Sequence, residues 1–130
     1  MISVFAHVSS AHFNPAVTLA LAFGKRFDWK LVFGYVLSQI SGGICAALLS
    51  KWISGRSGGV HVPGDAVSFG QALACEILIT FLLVSVILAV GIDKKHNAPA
   101  EIVIGLTVVC GVLIGGNFTG GSMNPARSIG

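Results

Sequence analysis

The chain has 130 residues, of which 54% are hydrophobic and only 10% charged, and its mean hydropathy is +0.86. A soluble domain carries about a quarter charged residues, so this chain lacks the polar groups to cover a globular surface, and lipid is its expected solvent. The net charge of +3 does not make a nucleic-acid partner, because the basic residues form no cluster or stripe; they sit in the breaks between apolar runs.

In chain order, residues 1–8 read as the end of a membrane span, and 9–24 as a loop followed by a short apolar segment. Residues 31–53, 69–92 and 100–116 are apolar runs long enough, or nearly so, to cross a bilayer core of about 30 Å. Residues 117–130 form a second loop and the start of a second short segment. Small residues recur in the long runs: Gly42, Gly43, Ala46 and Ala47, then Ala72 and Ala74, then Gly105 and Gly111. Membrane helices need such residues to approach closely, because lipid gives them no hydrophobic drive to associate. No basic leader with a cleavable apolar core opens the chain. Both ends fall inside expected helical segments and read as cut from something longer. Cys45, Cys75 and Cys110 match no zinc or redox spacing and are expected to be small buried hydrophobes.

The two short segments start alike. Ala11-His12-Phe13-Asn14-Pro15-Ala16 aligns with Gly121-Ser122-Met123-Asn124-Pro125-Ala126, an internal repeat. Three expected spans lie between the copies, an odd number, so the two triplets enter the membrane from opposite sides. Opposed half-helices meeting near the midplane are the mark of an inverted repeat. Lys25, Arg26, Lys30, Lys94 and Lys95 fall on one face, and Lys51 and Arg56 on the other. The positive-inside rule puts the first face in the cytoplasm.

Asn-Pro starts a helix for a physical reason. The Asn side-chain oxygen caps a backbone N–H, and Pro at the first helical position loses no needed donor. The Asn amide nitrogen, with two donor hydrogens, is then expected to stay free. Two such caps face to face bring donors and positive helix ends together. A water there accepts from both, cannot relay protons along a file, and meets a barrier to cations. Arg127 lies within the second short segment, where a charge is costly and marks function by default; its counterpart in the first copy is Val17.

The stretches Ser9–Leu19 and Gly120–Gly130 resemble the two signature loops of the major intrinsic protein family, the aquaporins and aquaglyceroporins. Gln39, Glu76, Thr80 and Phe81 also stand where that family carries such residues. The resemblance implies an all-α membrane fold: a six-span right-handed bundle with two re-entrant half-helices, assembled as a homotetramer, of which this chain holds the central part. It makes Arg127, Val112 and Gly121 members of a narrow selectivity filter, whose fourth member precedes Met1. Water-strict members tend to have His where Val112 stands, so the filter is expected to be wider and less polar. In this it is similar to archaeal-type and plant vacuolar-type members, where ammonia, urea or peroxide can join water. Glycerol facilitators usually carry Asp after the Arg; Ser128 here favours water.

Among the lesser features, His12 is expected to face the cytoplasmic half of the pore rather than pack. The carbonyls of Ser10, Ala11, Gly120 and Ser122 are expected to form a ladder for water where the backbone leaves the helix. Glu76 is expected to hydrogen-bond the Asn14 loop, with Gln39 as a further support. His7 and His61 read as bystanders, although either can titrate near neutrality. Asn117-Phe118-Thr119 fits a glycosylation pattern but stands against a re-entrant loop and is discounted. No nucleophile–base pair, metal-ligand cluster or cofactor motif is present, which argues against an enzyme. Two rivals remain: an ion-coupled carrier, for which Glu76 and Glu101 are the available carboxylates, and a truncated product that transports nothing.

Overall fold

The computed structural model describes residues 1–56, 59, 61–93 and 99–130, and every described regular element is helical. In chain order these are α1 (Ile2–Ser9), α2 (Pro15–Phe23), α3 (Trp29–Ser54), α4 (Phe69–Val86), a π-helical extension of α4 (Ile87–Ile92), α5 (Ala100–Thr119) and α6 (Pro125–Ile129).

The three long helices are bounded by their own sequence. Asp28 caps α3 by accepting from Lys30 N at 2.9 Å, and Gly55 ends it in the left-handed conformation, φ 67°, which glycine adopts without steric cost. Ser68 and Gln71 form a reciprocal capping box at the start of α4, satisfying two backbone donors that the first turn leaves unpaired. Helix α5 runs on through Asn117, Phe118 and Thr119 before Gly120 stops it at φ 82°. Those three residues are therefore its last turn rather than part of the second loop, and the expected short run gains its missing length there. At 1.5 Å per residue, α3, α4 with its extension, and α5 are about 39, 36 and 30 Å long, enough to span a bilayer core.

Their surfaces fit lipid. Val32 is the one buried residue of α3, while Phe33, Leu37, Leu48 and Trp52 stand more than half exposed. Such apolar faces are incompatible with water over this area. Cys45 and Cys110 are exposed among them, and Cys75 is half-buried; at the first two the expected burial within the chain is corrected, because their helix faces have no neighbouring element here.

Burial concentrates where the two short helices dock. Ile79 and Leu83 of α4, Ile104 of α5 and Met123 of the second loop form the core cluster. Met123 is 2% exposed because Gly111 leaves it room: a Cβ there would collide with the Met123 thioether. Helix α6 lies on α3, where a Cβ on Gly43 would collide with the Ala126 carbonyl. A Cβ on Gly115 would stand 2.9 Å from Gly121 Cα. These three glycines are the seats of the second loop and its helix. Gly42 and Gly105 have no such neighbour within 4 Å.

Candidate functional site

The two Asn-Pro-Ala triplets build the same local structure twice. Asn14 (φ −150°, ψ 117°) and Asn124 (φ −151°, ψ 108°) are extended N-caps, whose side-chain oxygens accept from Ala16 N and Ala126 N, both at 2.9 Å. Pro15 and Pro125 follow at the first helical position. The repeat extends upstream: Ser10 and Ala11 (φ 59° and 51°) match Gly120 and Gly121 (φ 82° and 62°), two left-handed residues in succession. This backbone turns the carbonyls out of helical bonding before the cap.

The amide nitrogens are not both free, as the sequence led one to expect. Asn14 Nδ2 donates to the Met123 carbonyl at 2.7 Å, and Asn124 Nδ2 donates to the Phe13 carbonyl at 3.0 Å. Each triplet thus holds the residue just before the other's Asn. One hydrogen on each nitrogen ties the two loops together, and one remains for a passing molecule. The positive ends of α2 and α6 meet at this cross-brace. A cavity of about 520 Å³ runs beside it, lined by Ala16, Glu76, Thr80, Asn124, Pro125 and Ser128 among others.

Each loop has its own polar support, and here Glu76 needs correction. Its Oε1 accepts from Ser122 N at 2.8 Å and from the Thr119 hydroxyl, and its Oε2 accepts from Met123 N at 2.8 Å. It therefore braces the Asn124 loop, not the Asn14 loop, because α4 packs on α5 and faces the loop that follows α5. Gln39 does the equivalent work for the first loop, donating to the His12 carbonyl and to Thr18 Oγ1. Replacing Glu76 with Gln leaves one backbone N–H of the second loop facing an amide N–H₂. That should destabilise the protein by roughly 1–3 kcal/mol, read as a lower unfolding midpoint in detergent, whereas an unchanged midpoint would remove the brace.

His12 sits among aromatic rings. Its ring stacks on Tyr35 at 4.9 Å and meets Phe27 edge-on at 4.8 Å, with Nδ1 at 2.8 Å from Thr18 Oγ1. It is 7% exposed. The aromatic pair and the Thr18 bond hold the ring, which also lines a cavity of about 300 Å³ with Ser9, Phe13, Tyr35 and Ser38.

Arg127 folds back over its own loop. Its Nη1 donates to the Ser122 carbonyl at 3.1 Å and, more weakly, to that of Gly121 at 3.4 Å. Gly121 lies against α5 so closely that an added Cβ would be 2.9 Å from Val112 Cα. The three candidate filter residues thus occupy one neighbourhood. Ser122 is its hub: Ser122 Oγ bonds the Asn124 carbonyl at 2.9 Å and Ser128 Oγ at 2.6 Å. Ser128 therefore reaches back to the loop that holds Arg127, a link the sequence did not disclose. Of the four candidate ladder carbonyls, Ala11 accepts from Phe13 N and Ser122 from Arg127, each keeping a second lone pair.

Away from the midplane, Arg26 pairs with Asp93 at 2.7 Å, linking the segment after α2 to the end of α4; as an exposed pair it contributes little stability. Lys94 and Lys95 lie outside the described residues. No group of His, Cys, Asp or Glu that could hold a metal occurs among the described residues.

The family profile described as major intrinsic protein matches residues 1–130. Aquaporin NIP3-1 of Oryza sativa subsp. japonica is 42% identical over 127 residues, covering 95% of this chain and 41% of that protein. Aquaporin NIP1-1 of the same species is 44% identical over 136 residues, covering the whole chain and 47% of that protein. Among solved structures, the aquaglyceroporin from Plasmodium falciparum superposes with a TM-score of 0.86 at 27% identity, over 98% of this chain and 58% of that one. The chain spans less than half the length of these two plant relatives. Its described fold is the all-helical membrane fold of such proteins, with three helices able to cross a bilayer. The chain belongs to the major intrinsic protein family.

Proposed function

We propose that this chain forms the central, pore-bearing part of a passive membrane channel that conducts water and other small neutral solutes and excludes protons and ions. The observation that carries this reading is the cross-brace: two Asn N-caps, each bonded to the opposite loop, with one donor hydrogen left on each. A water between them receives two hydrogen bonds from the protein and so loses the orientation that a proton wire needs. The two positive helix ends oppose any cation at the same point. A buried carboxylate available to a coupling ion is the mark of a carrier, and the Glu76 oxygens are taken up by the second loop.

Arg127, Val112 and Gly121 form the selectivity filter in this reading. The apolar Val112 favours admission of neutral solutes such as ammonia, urea or peroxide alongside water. Arg127→Ala is expected to raise permeability to a larger neutral solute such as glycerol several-fold relative to water, measured by stopped-flow light scattering of proteoliposomes. An unchanged solute ratio would take Arg127 out of the constriction. The same assay tests the channel itself, which should shrink vesicles faster than empty ones do, without any ion gradient.

The side of the membrane carrying Lys25, Arg26 and Lys30 is proposed to be cytoplasmic, which labelling of single cysteines from one side of sealed vesicles tests. A homotetramer is the proposed assembly, and the broad exposed apolar faces of α3, α4 and α5 leave surface for it as well as for lipid.

A further inference from the structure

The two half-helices share a second repeated device. Thr18 stands four residues after Asn14, and Ser128 four residues after Asn124. Thr18 Oγ1 donates to the Asn14 carbonyl at 3.2 Å and lies 2.8 Å from His12 Nδ1. Ser128 Oγ donates to the Asn124 carbonyl at 3.4 Å and lies 2.6 Å from Ser122 Oγ. In both copies a hydroxyl one turn inside the helix reaches back to the carbonyl of the cap and to the side chain two residues before it. The second partner differs, His12 in one copy and Ser122 in the other, but the pair of links is the same.

In the first copy the positions of the hydrogens follow from chemistry. Gln39 meets both the His12 carbonyl and Thr18 Oγ1 with one atom. A carbonyl only accepts, so that atom is the amide nitrogen, and Thr18 Oγ1 accepts from it. A threonine hydroxyl has one hydrogen and two lone pairs. With its hydrogen on the Asn14 carbonyl, the second lone pair takes a hydrogen from His12, and all three contacts are hydrogen bonds. With the hydrogen turned to His12 instead, two oxygens face each other at 3.2 Å with nothing between them. The first arrangement therefore puts the His12 hydrogen on Nδ1. Nε2, which is buried without a partner, then carries a lone pair rather than an unpaired N–H. Thr18 is 0% exposed, so no solvent competes for these bonds.

We propose that Thr18 is a positioning residue of the pore: its hydroxyl fixes the His12 tautomer and, through the Asn14 carbonyl, the setting of the Asn14 amide toward the Met123 carbonyl. The effect on flux rests on the channel reading above; the bonding does not. Thr18 acts through His12, Gln39 and Asn14 rather than on a solute. The Asn14 amide depends on it because the backbone carbonyl held by Thr18 and the side chain that reaches Met123 at 2.7 Å belong to one residue.

The test compares Thr18→Val, which keeps the side-chain shape and removes the hydroxyl, with Thr18→Ser, which restores it. Thr18→Ala is the second hydroxyl-free variant should Val impair folding. Two readings are taken on the full-length channel: nitrogen-15 spectra of labelled histidine, and osmotic water flux per folded protein in proteoliposomes. The His12 signals are identified as those lost in His12→Gln. Wild type and Thr18→Ser should show the hydrogen on Nδ1 and a bare Nε2. In Thr18→Val the hydrogen should pass in part to Nε2, the form a free imidazole prefers. Water flux should fall several-fold in Thr18→Val and return in Thr18→Ser. A hydrogen on Nε2 in wild type, wild-type flux in a hydroxyl-free variant, or a loss that Thr18→Ser leaves uncorrected overturns the inference. A wild type that conducts no water overturns the channel reading and the flux effect with it, while the spectra separately decide the bonding.

Discussion

Asn14→Asp and Asn124→Asp are each expected to cut water flux by about tenfold or more and to admit protons or cations. Asp caps a helix as well as Asn, so α2 and α6 keep their starts. What changes is the nitrogen. The donor that reaches the Met123 or Phe13 carbonyl at 2.7 or 3.0 Å becomes an oxygen, and two acceptors face each other. In Asn14→Asp the buried Met123 carbonyl loses its partner, at a cost of about 1–3 kcal/mol, whereas the bond to Phe13 is exposed, so Asn124→Asp acts mainly through the lost donor and the new charge. The new carboxylate also cancels the positive potential of two converging helix ends. Water flux by light scattering and proton entry by an internal pH dye read both effects together. Variants that match wild type in both would show that the cross-brace does not govern permeation.

The second large effect is steric and separates neighbouring residues. Gly43→Ala places a methyl group against the Ala126 carbonyl, which is backbone of the second half-helix and cannot rotate aside. Overpacking of this kind costs about 1–3 kcal/mol and sometimes more, and here it pushes α6 off α3, carrying Asn124 and Arg127 with it. Loss of water flux and a lower yield of folded protein are expected. Gly42→Ala meets nothing within 4 Å and gains helix propensity, so it should fold and conduct. Equal behaviour of the two variants would contradict the docking of α6 on Gly43.

This pair also shows where the sequence stopped being legible. Composition and run length disclose a membrane chain, and the repeated Asn-Pro-Ala discloses two half-helices, because capping and proline chemistry are local. Which glycine of the Gly42-Gly43 pair faces a neighbour depends on the rotation of α3, which a nearly uniform apolar helix does not encode. The cross-brace joins residues about a hundred positions apart through backbone carbonyls, and carbonyls carry no sequence signal. For the same reason Glu76 was readable as a buried hydrogen-bonding carboxylate, but not as the support of the Asn124 loop. His12 shows another limit: its place beside Asn14 suggested a position on the path, but not the Tyr35 and Phe27 rings that hold it, which come from elsewhere in the chain. The link from Ser128 to Ser122 spans six residues from α6 back to the loop before it, a spacing no helix sets, so nothing marked a serine beside Arg127 as more than a replacement for Asp.

The most direct test of the channel is to record water and proton permeability in the same proteoliposomes. An osmotic step should shrink vesicles containing the protein several-fold faster than empty ones, while a pH gradient across them decays no faster than in empty vesicles. Shrinkage at the rate of empty vesicles, or water entry accompanied by rapid collapse of the pH gradient, would contradict a pore in which Asn14 and Asn124 bind water and bar the proton.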